Sequence, residues 1–499
     1  MTRLIKLPGA GFKHGESEMF RIGNHKTKVH GIKKFEDAEA AYLLVWGCVL
    51  AFSCTFFLSN FDCEAVTKWG YGLLECIRQG ELADFPRFVM EQYNSPTNYT
   101  LFVNLVTAVW LTPAYLIGRV FLHSSSLLFY EVWYKALVGI VLLLDVKFFG
   151  EVLEERGFKR KERQIGCGLF LLSGVTLLAV LGKGQVDIYG LLFFLYAAKL
   201  YHKEKYGRMS VLLGMSFVVK PLVLWVYLPF LLLLAGKEKL RVLLYGGISF
   251  VPFLLDKLVT RLLMPEYMAL GKEVARRMKE YFGGPSMFES MFECGVNDVL
   301  VFWFLALVVC FICYYLAMHG KVKEWHFCFF PPLLLVLWGV FVCVSYQWFI
   351  YVVPFFIVMA LQYKKRSDAY LLVLGINGGL AGYFMVAETM YVLPTLSGNI
   401  DGRVGEADSV VMQVLQSLRP YIFPAGKTLF FTAMLVCAGL FAVECMLRKE
   451  MTKVGENGEE ENVKEEGLFL PGYEKILFYL QPLPVAAYLA VVAFVCIRG

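Results

Sequence analysis

The chain has 499 residues, of which 58% are hydrophobic and 18% charged, with a net charge of +6 and a mean hydropathy of +0.57. Soluble domains run nearer 45–50% apolar and about 25% charged, so an ordinary soluble domain is excluded. The small positive excess lies in short loops, where it reports orientation in a bilayer and not nucleic-acid binding.

Residues 1–39 form a basic segment, too long and too charged for the n-region of a cleavable signal peptide. Apolar runs then recur to the end of the chain, near 40–59, 100–122, 127–149, 164–181, 186–200, 209–235, 240–257, 297–318, 326–344, 349–363, 369–388, 426–447 and 474–497. Runs of this length predict an all-α, polytopic transmembrane bundle of about 12–14 segments. The expected organisation is a cytoplasmic N-terminal segment (1–39), a transmembrane module (40–257) with a first external loop (60–99), and an external loop (258–296). A second module (297–447) with an external loop (389–425), a charged linker (448–472) and a last helix (473–499) complete it.

Short basic loops punctuate the runs: Lys159–Arg163, Lys203/Lys205/Arg208, Lys237/Lys239/Arg241, Lys321/Lys323, Lys364–Arg366 and Arg448–Lys449. The positive-inside rule assigns them to the cytoplasm. One conflict follows. If 100–122 and 127–149 both cross, the loop 150–163 falls outside. It returns inside if 100–122, which contains Pro113, dips into the bilayer and comes back; this is the preferred topology. The alternative makes 209–235 a single helix and moves "GKGQVDIYG" (182–190) to the cytoplasm.

The 13 cysteines lie mostly in apolar runs and show no CxxC or Cys/His spacing, so no metal site is read from them. Cys63, Cys76 and Cys294 fall in predicted external loops, where a disulfide is an open alternative to free thiols. Asn98-Tyr99-Thr100 is a formal sequon, read as incidental.

Ionisable groups in or flush with apolar helices carry more information, because removing their water is costly. Asp62 and Glu64 follow the first run in "SNFDCEAVTKWGYG" (59–72). Lys183, Gln185 and Asp187 form "GKGQVDIYG". Lys220 stands in "SFVVKPLVLWVYLP" (216–229) before a proline, and Gln347 in "VSYQWFIYVVP" (344–354). In the preferred topology Asp62, Asp187, Lys220 and Gln347 converge on one external rim. A carboxylate there can serve as general base and a lysine can hold a phosphate. Each has a plainer alternative: Lys183 snorkels to the headgroups, and Asp187 and Asp62 cap helices. Lys135 and Asp145 read as packing or buried polar groups.

The order of these motifs resembles the GT-C superfamily, multi-spanning glycosyltransferases that use polyprenyl-phosphate sugars. The closest resemblance is to bacterial mannosyltransferases related to the GPI mannosyltransferases. It covers roughly residues 40–360. It rests on an Asp after the first helix, the Tyr/Pro segment "SPTNYTLF" (95–102), "GQVD", "KP" some 30 residues later, and "GVNDVLVFW" (295–303). The chain departs from the family where Gln347 replaces an expected His and Leu222 an expected Gln. The resemblance implies a bacterial plasma-membrane enzyme with an extracytoplasmic site, moving a hexose, mannose by resemblance, from a polyprenyl-phosphate donor to a lipid-linked or cell-envelope glycan acceptor. It implies Asp62 as catalytic base, with Glu64 as its alternate.

Such a transfer needs a base for the incoming hydroxyl (Asp62), cations for the departing phosphate (Lys220, with Arg276, Arg277 or Arg403), and polar groups for the sugar (Gln185, Asp187). One essential carboxylate suffices for single displacement with inversion. No cofactor is required by this reading, and a divalent metal, Mg or Mn, between Asp187 and phosphate is left open. The alternatives are a transporter or flippase, which also holds polar groups at broken helices, a lipid-linked glycan polymerase, and a structural membrane protein.

Overall fold

A computed structural model describes residues 32–93, 99–118, 127–235, 239–265, 295–296, 299–342, 345–363, 366–387, 391–392, 410–454 and 473–498. Asn98, Arg276, Arg277, Cys294 and Arg403 lie outside the described residues, as do most of the segments 258–296 and 389–425 and of the charged linker.

The fold is all-α. In order, α1 is Ile32–Phe57, α2 Phe61–Gln79, α3 Phe85–Tyr93, α4 Leu101–Ile117, α5 Leu127–Glu155 and α6 Arg160–Leu172. A π-helix, Val175–Gly182, follows. Then come α7 (Asp187–His202), α8 (Tyr206–Val219), α9 (Val223–Ala235) and α10 (Lys239–Leu263). Next are α11 (Val301–Met318), α12 (His326–Phe341), a 3-10 helix (Tyr346–Tyr351), α13 (Val353–Gln362), α14 (Arg366–Ala387), α15 (Val410–Val454), α16 (Tyr473–Tyr479) and α17 (Leu483–Arg498).

Two short antiparallel pairs are the described strands. In one, Leu58 and Ser59, at the end of α1, pair with Val392 and Tyr391, so the segment 389–425 begins beside the start of α2. The other joins Gly295 to Leu300 and Val296 to Val299 ahead of α11.

Four described helices are long and apolar enough to cross a membrane, or five if α6 and the π-helix form one span bent by 47°. Five further apolar helices are shorter, at 10–17 residues. The 12–14 segments expected from the apolar runs therefore meet this standard only in part. The reason is local. Prolines, glycines and buried charges divide or dilute the runs, and α5 alone carries Lys135 and Asp145, both with no exposed surface.

Large apolar side chains face outward on several helices, including Leu240 and Leu262 of α10 and Leu307 and Phe311 of α11. Inside, helices approach closely where a side chain is missing. A Cβ on Gly379 of α14 would meet Gly426 O of α15 at 2.8 Å, and one on Gly426 would meet Gly379 O at 2.7 Å. Small residues permit such crossings between apolar helices.

Ion pairs gather one end of the bundle. Lys199 reaches Glu151 at 2.6 Å, Lys203 reaches Glu155 at 3.0 Å and Arg163 reaches Glu154 at 2.6 Å. Arg156 reaches Glu324 at 2.9 Å. The loop 150–163 thus shares a face with the basic loops after α7 and α11. Helix α4 does not run to that face. Tyr99, just before it, hydrogen-bonds Gln185, while Tyr115 near its other end donates to Glu75 of α2 at 2.8 Å. Tyr71 packs on both Tyr115 and Tyr130, the latter in the first turn of α5. Residues near both ends of α4 thus meet side chains at the face of α2, and the helix runs unbroken through Pro113, so the dip and return expected of 100–122 is not seen within Leu101–Ile117.

Helices α8 and α9 form a hairpin turned at Lys220–Leu222. Phe230 of α9 packs on Tyr201 of α7 and on Phe327, back toward the basic end.

Candidate active site

The site is assembled at the face opposite the basic loops. Asn60 caps α2, its side-chain oxygen accepting from Asp62 N at 3.0 Å. The capping role weighed for Asp62 therefore belongs to Asn60, and the Asp62 carboxylate, 42% exposed, is turned to the site. Its Oδ2 accepts from Gln185 Nε2 at 2.5 Å and lies 3.5 Å from Lys183 Nζ. Lys183 is 7% exposed, which rules out the snorkelling reading.

The motif is held by its backbone. Asn377 of α14 accepts from Gly174 N at 2.9 Å and donates to Leu172 O at 3.4 Å, catching both sides of the α6/π-helix break. The π-helix delivers Gly182 and Lys183 to the rim. Gly184 has φ +62, and a Cβ there would come within 2.9 Å of Cys63 Cβ and Sγ. Only glycine combines that conformation with so close an approach. Tyr134 donates to Gly184 O at 2.7 Å. The buried Lys135 ammonium donates to Gly182 O at 3.2 Å, to Cys54 O at 3.1 Å and to Leu58 O. Lys135 is thus a tie between the end of α1, the strand residue Leu58 and the motif. It satisfies three carbonyls at chain breaks, where a buried unpaired acceptor would be costly.

Asp187 opens α7 with no exposed surface, and its side chain makes no capping bond. Its carboxylate oxygens accept no hydrogen bond among the described residues. Their counter-charge is Lys220 Nζ, 3.6 Å from Oδ1. The Asp187 carbonyl accepts from Tyr351 OH at 3.1 Å.

Lys220 ends α8 in extended backbone (φ −143, ψ 107) ahead of Pro221. Its ammonium lies 5.2 Å from the Tyr99 ring centroid and 5.3 Å from that of Trp348. Tyr99 also donates to Gln185 Oε1 at 3.3 Å. Burial first, then Asp187 and Asp62, push the Tyr99 phenol well above its ordinary value, so it remains a donor. A continuous chain of contacts therefore runs Lys183–Asp62–Gln185–Tyr99–Lys220–Asp187. Beyond Lys220 opens a cavity of about 320 Å³, lined by Tyr99, Thr100, Lys220, Phe253, Lys257 and Trp348 among others. It places two ammonium groups on one chamber.

Five of the residues singled out by sequence, Asp62, Lys183, Gln185, Asp187 and Lys220, are brought together. Glu64 is not among them: it pairs with Lys68 along α2. Gln347 is buried in the 3-10 helix, but the side chain facing Lys220 from that helix is its neighbour Trp348. Cys63 and Cys76 are free thiols on one helix. They sit about 20 Å apart along its axis at 1.5 Å per residue, too far for a disulfide. Burial pushes them up, to about 12 for Cys63 and about 11 for Cys76. Tyr99, Trp348 and Lys257 were not separable by sequence from ordinary interface residues. The signal for Tyr99 was its place in "SPTNYTLF".

A metal at Asp187 is a poor fit. The Lys220 ammonium takes the side of the carboxylate where a cation would sit. Among the described residues no three His, Cys, Asp or Glu side chains converge. Compared with protein-family models, curated proteins and solved structures, the chain matches none.

Proposed function

We propose that this chain is a membrane-embedded glycosyltransferase, moving a hexose from a polyprenyl-phosphate donor to an acceptor hydroxyl at the face of Asp62. The observation that carries the reading is the contact chain from Lys183 to Asp187, which links a half-exposed carboxylate to a lysine-lined cavity. The acceptor oxygen bonds to the anomeric carbon as the bond from that carbon to the phosphate oxygen breaks. The hydroxyl proton passes to Asp62 Oδ1, because Oδ2 already accepts from Gln185. The phosphate leaves toward Lys220 and Lys257. Preorganised cations in a site shielded from water stabilise such a leaving group more than they would in water. The donor's polyprenyl tail reaches the cavity between α4 and α10, whose outer face is apolar. Gln185 and Lys183 hold the base in place.

The test is transfer from radiolabelled polyprenyl-phosphate mannose in membranes. Loss of a positioned base costs about 10²–10⁴-fold, and Asp62→Asn should lose that much while still inserting. Lys220→Met should fall comparably. Unchanged transfer in either variant, at wild-type levels of protein, refutes the role of that residue.

One observation favours a transporter instead. Asp145, inside α5, is fully buried and its oxygens accept no hydrogen bond among the described residues. Under the transfer reading Asp145→Asn leaves sugar transfer intact. A variant that inserts, keeps its melting temperature and loses all function favours transport.

A further inference from the structure

A second chamber lies at the basic end, away from Asp62. It is a narrow, partly open cleft between α5, α7, α8, α9, α12 and α13, with walls such as Phe149, Val152, Phe194, Phe230 and Pro354. Its charged residue is Arg156, at the mouth. Arg156 also lines a neighbouring vestibule of about 370 Å³ with Lys323, Glu324, Trp325, Gln362 and Glu444. One guanidinium therefore joins an apolar chamber to a polar one.

Apolar cavities of this kind hold water poorly, and a hydrocarbon chain matches the walls. The vestibule carries both signs of charge, Arg156 and Lys323 against Glu324 and Glu444. Trp325 adds a buried indole N–H that has no hydrogen-bond acceptor among the described residues. Arg156 spends one bond on Glu324, from Nη2 to Oε1 at 2.9 Å, and a guanidinium has five donors. A head with a phosphate and a primary ammonium fits this set. The phosphate takes Arg156, Lys323 and the indole N–H, and the ammonium takes the two glutamates. A purely anionic head would leave the glutamates opposed to it. A quaternary ammonium has no N–H for them to accept.

We infer that this face carries a lipid site for one ethanolamine phospholipid, with an acyl chain in the chamber and the zwitterionic head in the vestibule. The site is independent of the transfer reading, since it shares no residue with the Asp62–Lys220 cluster.

The test is native mass spectrometry of the full chain in detergent, titrated with phosphatidylethanolamine, phosphatidylcholine, phosphatidylglycerol or tail-free glycerophosphoethanolamine. Phosphatidylethanolamine should be retained at one per chain and raise the melting temperature. The other three should bind at least tenfold more weakly. Arg156→Gln and the chamber-filling Ala198→Phe should each weaken retention at least tenfold. Lys323→Gln, in a loop, serves if either fails to fold, and should weaken it severalfold. Equal retention of phosphatidylcholine or phosphatidylglycerol overturns the head assignment. Wild-type retention by the folded variants overturns the site. Sugar transfer is not the readout, so failure here leaves the Asp62 assignment standing.

Discussion

Lys220 shows how a single side chain can be both stored and available. Its charge is neutralised by one buried carboxylate 3.6 Å away, and two aromatic faces sit on it at 5.2 and 5.3 Å. Cation–π contacts contribute about 0.5–2 kcal/mol, more when desolvated. Removing one ring should therefore leave the ammonium in place but less well aimed. Trp348→Ala is expected to weaken donor use, seen as a KM raised several-fold to about tenfold in the transfer assay. Gln347→Ala is expected to change it less than twofold, because Gln347 is not the residue of the 3-10 helix that meets the lysine. A larger effect at Gln347 than at Trp348 would reverse that assignment. Here sequence came within one position. The motif "SYQWFIYVVP" marks the segment, but which of two adjacent side chains faces inward depends on the 3-10 geometry, and no apolar pattern encodes it.

At the level of elements, the breaks matter more than the helices. The π-helix ahead of "GKGQVDIYG" is bent 47° from α6, and the buried backbone groups at the break are satisfied by Asn377. Leaving a buried N–H unpaired costs about 1–3 kcal/mol. Asn377→Leu, nearly the same size, should lower the melting temperature in detergent and reduce transfer together, since the break positions Gln185 and Asp187. A melting temperature equal to wild type would show that the cap is dispensable. The helices themselves were legible, because apolar runs between basic loops dictate them. The order of Asp62, Gln185, Asp187 and Lys220 along the chain was legible for the same reason, each standing at a run's end. The π-helix and the cap from α14 were not. Asn377 is 203 residues from Gly174, and nothing local in "GINGG" names its partner. Pro113 suggested a break, yet the helix stays whole, because a proline near a helix end removes little that neighbouring helices do not resupply.

For the whole molecule, the functional reading depends on the two ends of the bundle being two sides of a membrane. The ion pairs from Glu151, Glu154, Glu155 and Arg156 collect the mixed loop 150–163 with the basic loops at one end. The acids on α5 explain why charge counting alone was diluted there: each neutralises a base from another element. At the other end stand Asp62, Lys183 and Lys220. Asp187 itself has no exposed surface, so labelling at that position would report burial and not sidedness. Glu81 beyond α2 and Lys203 beyond α7 are exposed and lie at opposite ends. In a Cys48→Ser/Cys294→Ser background, which removes an exposed thiol and the thiol of the predicted external loop 258–296, Glu81→Cys should react with a membrane-impermeant maleimide on intact cells. Lys203→Cys should react only after permeabilisation. Labelling of both from the same side would mean that the polarity of the bundle is not the polarity of a bilayer. The lipid donor would then have no leaflet from which to reach Lys220, and the transfer reading would fall with it.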